Sequence, residues 1–221
     1  MIDHSLLNPT LAVKDLEAGC ELALRYNTAS VCILPYYARR CAEILKGSTV
    51  VASTTIGFPH GGHATAVKLA EVEQALADGA RELDMVVNIS QVLSGNMDYV
   101  AEEIAAICAK AHAASGKVKV IFENCYLNND QKIALCKICT EAKADWVKTS
   151  TGYGTGGFTF EDISLMLQNV GKGVQVKAAG GVRDLETLLK LRAMGVTRSG
   201  ATRTATMLDE MKMRLERYET V

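Results

Sequence analysis

Lys148 and Lys177 stand in two short β-branched segments near the C-terminal half of the chain, and Asp84 stands in a third such segment upstream. A lysine is a poor nucleophile at neutral pH, because its ordinary pKa of about 10.4 leaves only ~1 in 2,500 amines unprotonated. A second ammonium nearby and partial loss of water both penalise the charged form, and a fall in pKa to ~7 raises the reactive fraction by roughly a thousandfold. A neutral lysine beside a carboxylate is equipped to attack a carbonyl carbon. The iminium that follows withdraws electrons from the neighbouring bond, and the carboxylate moves protons as the carbinolamine forms and loses water. The same residue types also admit a structural ion-pair network, with Lys148 paired to Asp84 and Lys119 to Glu123.

The elements that must position these side chains alternate from one end of the chain to the other. Strand patterns cover Met1–His4, Ser30–Leu34, Val50–Ile56, Glu82–Asn88, Lys117–Glu123, Asp145–Ser150, Val174–Ala178 and Thr197–Gly200. Helical spacing of apolar residues covers Val13–Tyr26, Tyr37–Lys46, Thr65–Ala77, Asp98–Ala114, Asp130–Ala142, Phe160–Asn169, Leu185–Met194 and Thr204–Tyr218. Eight of each predicts an α/β fold of the (β/α)8 TIM barrel type, a single domain over residues 1–221 with no linker or composition break. Successive strand side chains face opposite ways. Leu83, Met85 and Val87, Val118, Val120 and Phe122, Val147, and Val174 and Val176 therefore face the helices. That leaves Glu82, Asp84, Lys119, Glu123, Lys148 and Lys177 among the residues on the axial side, and a barrel interior built only for stability would be filled with Val, Ile and Leu. Asp84, Glu123, Lys148 and Lys177 also lie toward the strand ends where barrel active sites are assembled.

Two later loops are rich in glycine and basic residues, Ala179-Gly180-Gly181-Val182-Arg183 and Gly200-Ala201-Thr202-Arg203, and both lead into helices. Barrels commonly bind phosphate between the loops after the seventh and eighth strands, where glycine lets backbone N–H groups approach and a helix N-terminus favours negative charge. The stretch after Lys148 adds hydroxyls and backbone donors at Thr151 and Gly152 within a flexible, glycine-rich flap. It lacks the Lys-Ser/Thr pair of a P-loop. A phosphorylated substrate is expected; each loop taken alone also reads as a tight βα turn.

Composition narrows the class of partner. A formal net charge of −1 and a pI near 6.4 provide no broad attraction to nucleic acid or anionic lipid, and no stretch has the roughly 20 apolar residues of a membrane span. Seven cysteines are scattered through apolar patterns without a secretory signal, so they read as reduced thiols in a cytoplasmic protein. Cys136 and Cys139 form a CxxC inside a helical run, with no second pair to complete a metal site. Only His4, His60, His63 and His112 could supply imidazole ligands, and of these only His60 and His63 could share a metal, across the Gly61-Gly62 turn. No metal and no cofactor is expected.

With these residues in view, the chain resembles the deoxyribose-phosphate aldolases over nearly its whole length. The resemblance is carried by Ile2-Asp3-His4-Ser5-Leu6-Leu7, Ser30-Val31-Cys32-Ile33-Leu34-Pro35, Ile56-Gly57-Phe58-Pro59-His60-Gly61-Gly62, Glu82-Leu83-Asp84-Met85-Val86-Val87-Asn88-Ile89, Val147-Lys148-Thr149-Ser150-Thr151-Gly152 and Val176-Lys177-Ala178-Ala179-Gly180-Gly181-Val182-Arg183. It implies that Lys148 is the Schiff-base lysine, Lys177 the lysine that lowers its pKa and donates protons, and Asp84 the proton-transfer carboxylate. It also implies reversible cleavage of 2-deoxy-D-ribose 5-phosphate to acetaldehyde and D-glyceraldehyde 3-phosphate without metal or organic cofactor. Asp3, Lys119 and Glu123 are expected to form a supporting polar network, and a homo-oligomer, dimer or tetramer, is expected.

The chain departs from the family pattern in four places. The family usually has a short helical segment before the Ile-Asp-His strand, whereas here Met1 directly precedes it, which predicts a less covered barrel floor. The last phosphate loop usually reads Gly-Thr-Ser-Ser; here Arg203 brings a guanidinium to it. Ser5 and Asn124 stand where threonine is common. The rival readings are a metal-dependent aldolase or hydrolase, another Schiff-base barrel of the transaldolase or keto-acid aldolase kind, and an idle barrel that binds a sugar phosphate without forming an adduct.

Overall fold

Each of the eight β-branched segments forms a strand, and the strands pair in parallel in chain order until the last meets the first. They are β1 (Ile2–Leu6), β2 (Ser30–Ile33), β3 (Val51–Ile56), β4 (Glu82–Val86), β5 (Lys117–Ile121), β6 (Trp146–Lys148), β7 (Gln175–Ala178) and β8 (Arg198–Ala201). The structure is a computed structural model and describes residues 1–219, so residues 220 and 221 of the expected domain lie outside the described part. The helices are α1 (Val13–Arg25), α2 (Ala38–Ile44), α3 (Thr65–Ala77), α4 (Ile89–Leu93), α5 (Met97–Ala113), α6 (Asn129–Glu141), α7 (Phe160–Asn169), α8 (Leu185–Ala193) and α9 (Thr204–Glu219). The sequence pattern did not reveal α4, whose five residues are too few to show a helical period. Several helices start where a side-chain oxygen accepts from an otherwise unpaired N–H: Asn128 from Gln131 at 2.9 Å, Thr159 from Asp162 at 3.0 Å and Asp184 from Thr187 at 2.8 Å.

Side-chain alternation sorts the two faces of the sheet. Leu83, Met85, Val118, Val120, Phe122, Val147 and Val176 join one apolar layer with Val100, Ile104 and Ile107 of α5 and Leu135 of α6. A second layer packs Leu6, Val31 and Ile33 against Leu16 and Cys20 of α1 and Cys41 of α2. Cys136 and Cys139 belong to the first layer and are fully buried. All seven cysteines are free. No described helix is long and apolar enough to cross a membrane, and the described residues contain no group of three His, Cys, Asp or Glu that could hold a metal.

Three strands stop two residues earlier than their sequence pattern suggests. β4, β5 and β6 end at Val86, Ile121 and Lys148, so Asn88, Glu123 and Ser150 belong to the mouth loops. At Glu123 the backbone turns left-handed, with φ of 57°, and this takes the chain off the sheet.

Outside the axis, Lys68 of α3 and Glu103 of α5 form an ion pair of 2.8 Å with both side chains at 0% exposure, and Lys68 also donates to the Val86 carbonyl at 2.8 Å. Burial draws the Lys68 pKa below its ordinary value, against the opposing pull of Glu103. The pair clamps α3 and α5 to the end of β4, two residues beyond Asp84. Glu103→Ala leaves a buried ammonium without its counter-charge and is expected to lower the unfolding free energy by about 3–5 kcal/mol. Lys68→Met/Glu103→Leu should lose much less. Urea unfolding of both variants checks this, and similar losses would show that the isolated charge is not the cause.

Candidate active site

One carboxylate oxygen holds both lysines: Lys148 and Lys177 each donate to Asp84 Oδ2 at 2.7 Å. Register explains the meeting. Lys148 lies directly opposite Lys177 across β6 and β7, Asp84 lies opposite Lys119 across β4 and β5, and all four side chains have axial parity. Two nitrogens bound to one oxygen are separated by at most twice that bond length, so the lysines share one electrostatic environment.

The network continues deeper into the barrel. Lys119 contacts Glu82 at 2.7 Å, Asp84 at 2.9 Å and Asp3 at 3.2 Å. Lys177 reaches Asp3 at 2.6 Å. Arg198 forks onto both Glu82 oxygens at 2.8 and 2.7 Å and onto Asp3 at 2.7 Å, while its guanidinium lies 4.8 Å from the centre of the Trp146 ring. Fork-to-carboxylate pairing of this kind fixes orientation as well as charge.

The network's charges do not balance if every group ionises. Three carboxylates, Asp3, Glu82 and Asp84, face four basic side chains, Lys119, Lys148, Lys177 and Arg198. A net charge in a dry interior is costly, and loss of one proton removes it. Among the described residues Lys148 contacts one carboxylate, Lys177 two and Lys119 three, so Lys148 is the amine least held in its charged form. Burial is the largest influence on Lys148 and lowers its pKa; Lys177 adds to the fall and Asp84 opposes it. Burial pushes Lys177 the same way, but Asp3 and Asp84 outweigh it and its pKa is raised. Lys119 is held well above its ordinary value despite burial, by Asp3, Asp84 and Glu82. Burial favours protonation of Asp84, yet the surrounding lysines keep it well below the usual carboxylate range. Desolvation thus outranks like-charge repulsion as the cause of the Lys148 shift, whereas the sequence pointed first to the second lysine.

Lys148 and Lys177 line a cavity of ≈ 930 Å³ whose other walls come from β1, from one face of α1 and from the loops after β1, β6, β7 and β8. Thr151, Gly152, Gly180, Gly181, Arg183, Gly200 and Thr202 all line it. Arg203 does not; it is exposed, outside the cavity-lining set, because α9 starts at the next residue and carries the backbone away. Asp84, at 0% exposure, sits behind the lysines. Cys32 also lines the cavity, with its thiol pushed up to about 11, chiefly by burial. His4 is pushed down to about 4 by burial and is hydrogen-bonded through Nδ1 to the Thr204 hydroxyl at 2.8 Å.

Glu123 departs from the expected network. Lys119 is satisfied by Asp3, Glu82 and Asp84, and Glu123 accepts instead from the Thr151 backbone N–H at 3.1 Å and from the Thr151 hydroxyl. The left-handed turn at Glu123 takes its side chain off the strand parity that predicted the pairing. Glu123 therefore anchors the flap after β6. The same flap is tied to β1 by the Tyr153 hydroxyl donating to the Leu7 carbonyl at 2.6 Å, and to the β7 loop by the Phe158 N–H donating to the Ala179 carbonyl at 3.0 Å. At their crossing a side chain on Gly157 would come within 1.8 Å of the Gly180 carbonyl oxygen, so this close approach needs glycine. Arg198 was missed as a site residue, and Glu82, read from parity as axial, was not assigned to the site. The signal was present: Arg198 precedes Gly200 by two positions, so it shares axial parity, and it sits opposite Lys177 in register.

Comparison with known proteins agrees with this fold. Residues 1–206 match the model of the DeoC/LacD family aldolases. A deoxyribose-phosphate aldolase of Rhodopirellula baltica is 65% identical over 215 residues, covering 97% of this chain and 89% of that protein. The solved structure of QR15, an aldolase, aligns with a TM-score of 0.90 at 36% identity, covering 96% of this chain and 94% of that one. The deoxyribose phosphate aldolase of Aeropyrum pernix, solved as a tetramer, aligns with a TM-score of 0.87 at 28% identity, covering 96% and 89%. A family match of that extent, joined to 65% identity with a relative along almost the full chain, establishes that this (β/α)8 barrel belongs to the DeoC/LacD family of aldolases.

Proposed function

We propose that the chain reversibly cleaves 2-deoxy-D-ribose 5-phosphate to acetaldehyde and D-glyceraldehyde 3-phosphate through a Schiff base on Lys148. The observation that carries this reading is the sharing of Asp84 Oδ2 by the Lys148 and Lys177 nitrogens where both lysines line the cavity. Lys148, the less strongly neutralised of the two, attacks the C1 carbonyl of the open-chain sugar. Lys177, held protonated, supplies a proton to the departing water, and Asp84, held ionised, accepts and returns protons at the attacking nitrogen. The iminium then takes up the electron pair of the C2–C3 bond as the C3 hydroxyl loses its proton, through a water, toward Asp84. Glyceraldehyde 3-phosphate leaves. The remaining enamine is protonated at C2, and hydrolysis of the iminium frees acetaldehyde and returns the amine. The phosphate is placed between the β7 and β8 loops, near Gly180, Gly181, Arg183 and Thr202, where the start of α8 adds its dipole. The Aeropyrum pernix relative supports a homo-oligomeric state as part of the same proposal.

Borohydride reduction in the presence of acetaldehyde should leave one ethyl adduct, mapped by peptide mass to Lys148 and absent from Lys148→Ala. An adduct on Lys177 alone would reverse the assignment.

The pH profile has a definite sign. Protonation of Lys148 removes the nucleophile, so kcat/KM falls as pH falls through its lowered pKa. Lys177→Met deletes the neighbouring cation and leaves Asp84 to Lys148, which raises that pKa. The acid limb should move to higher pH, with a lower kcat/KM below it. An unmoved limb would refute the coupling.

Arg183→Ala should raise KM for D-glyceraldehyde 3-phosphate by about 10- to 100-fold in the synthetic direction, the scale of a lost charge-assisted hydrogen bond, with little change for unphosphorylated glyceraldehyde. Arg203→Ala, outside the cavity, should change both little. Equal effects of Arg183→Ala on the two acceptors would remove the phosphate assignment.

A further inference from the structure

Trp146 stands two residues before Lys148 on β6 with the same axial parity, about 7 Å nearer the barrel floor. It lies opposite Lys119 on β5 and opposite Gln175 on β7. The residue is 3% exposed, and its indole N–H donates to the Thr197 hydroxyl at 2.9 Å, which fixes the ring at the entry to β8.

Three cations gather on this one ring. Arg198 lies 4.8 Å from its centre, Lys117 5.5 Å and Lys119 5.8 Å. Their surroundings differ. Lys117 is exposed, as is Thr197, whereas Lys119 is 0% exposed and belongs to the buried network. The indole therefore stands at the boundary between solvent at the barrel floor and the charges above it.

The kind of side chain matters. An aromatic face attracts a cation through its quadrupole and carries no charge of its own. A carboxylate in the same place would also hold Lys119 and Arg198, but it would bring the network's three carboxylates to four, equal to its four basic groups. The excess positive charge that favours loss of a proton from Lys148 would then be gone. A small or polar side chain would admit water to the same groups and lessen the burial that lowers the Lys148 pKa. The groups that act directly on that amine are Asp84 of β4, Lys177 of β7 and Cys32 of β2. Deeper in the network stand Lys119 of β5, Asp3 of β1, Glu82 of β4 and Arg198 of β8.

We propose that Trp146 is a positioning residue for the reaction: its ring closes the barrel floor beneath the lysine network and holds Lys119 and Arg198 without adding a counter-charge. The inference rests on the Lys148 reading of the preceding section. It places no atom of Trp146 on the substrate, since the indole lies outside the cavity-lining set.

The test has two parts. The chain has one tryptophan, so its fluorescence reports this ring alone. In the unaltered protein acrylamide should quench that emission far less than it quenches free tryptophan; equal quenching would show an open floor and overturn the inference. The second part follows kcat/KM for deoxyribose 5-phosphate against pH in Trp146→Phe, Trp146→Leu and Trp146→Gln, with folding checked by circular dichroism. Trp146→Phe keeps a ring and should stay close to the unaltered profile. Trp146→Leu no longer spans the floor and Trp146→Gln lets water in, so in both the acid limb should move to higher pH, further for the Gln variant. A folded Leu or Gln variant that loses activity at every pH while its limb stays in place would reduce Trp146 to a structural role, and the inference would fail. Absence of the borohydride adduct on Lys148 in the unaltered protein would instead count against the Lys148 reading.

Discussion

A single carboxylate oxygen, Asp84 Oδ2, bound by two amines at 2.7 Å, is the contact that ties the axial lysines into one network. Were it bound by Lys148 alone, the pair would be an ordinary ion pair and the amine would stay protonated. Lys177 shares that oxygen and holds Asp3 as well, which favours its charged form, while burial and the neighbouring Lys177 lower the pKa of Lys148. The asymmetry between two chemically identical side chains comes from their carboxylate contacts and not from the residues themselves.

The deeper groups make that asymmetry durable. Arg198 and Lys119 absorb the negative charge of Glu82 and much of that of Asp3 and Asp84, leaving Lys148 a share of one carboxylate. Buried charges of this density are poor sources of stability, because their desolvation offsets their attraction. Stability is supplied instead by the apolar layer between sheet and helices, where Leu83, Val118, Val120, Val147 and Val176 occupy the alternate positions of the same strands that carry the polar groups. Each strand thus serves the core with one face and the chemistry with the other.

The mouth loops are fastened to one another across the barrel. The flap after β6 is bound by Glu123 at the end of β5, by Leu7 after β1 and by Ala179 and Gly180 after β7. These bonds hold the loops after β1, β5, β6 and β7 together around the cavity that the lysines line.

Alternation along a strand is covalent geometry, so the sequence alone determined the number of strands, the barrel class and the axial placement of Asp84, Lys119, Lys148 and Lys177. Glycine and basic residues after the last two strands likewise marked the loops that came to line the cavity, apart from Arg203. Closure of the ring decided the rest. It brought Asp3 of the first strand and Arg198 of the last into the same network, it gave Lys119 three carboxylates that excluded Glu123, and a left-handed turn at Glu123 redirected that side chain to the flap. Parity states which way a side chain points, but which charges meet depends on the register between strands far apart in sequence, and register exists only once the sheet has closed.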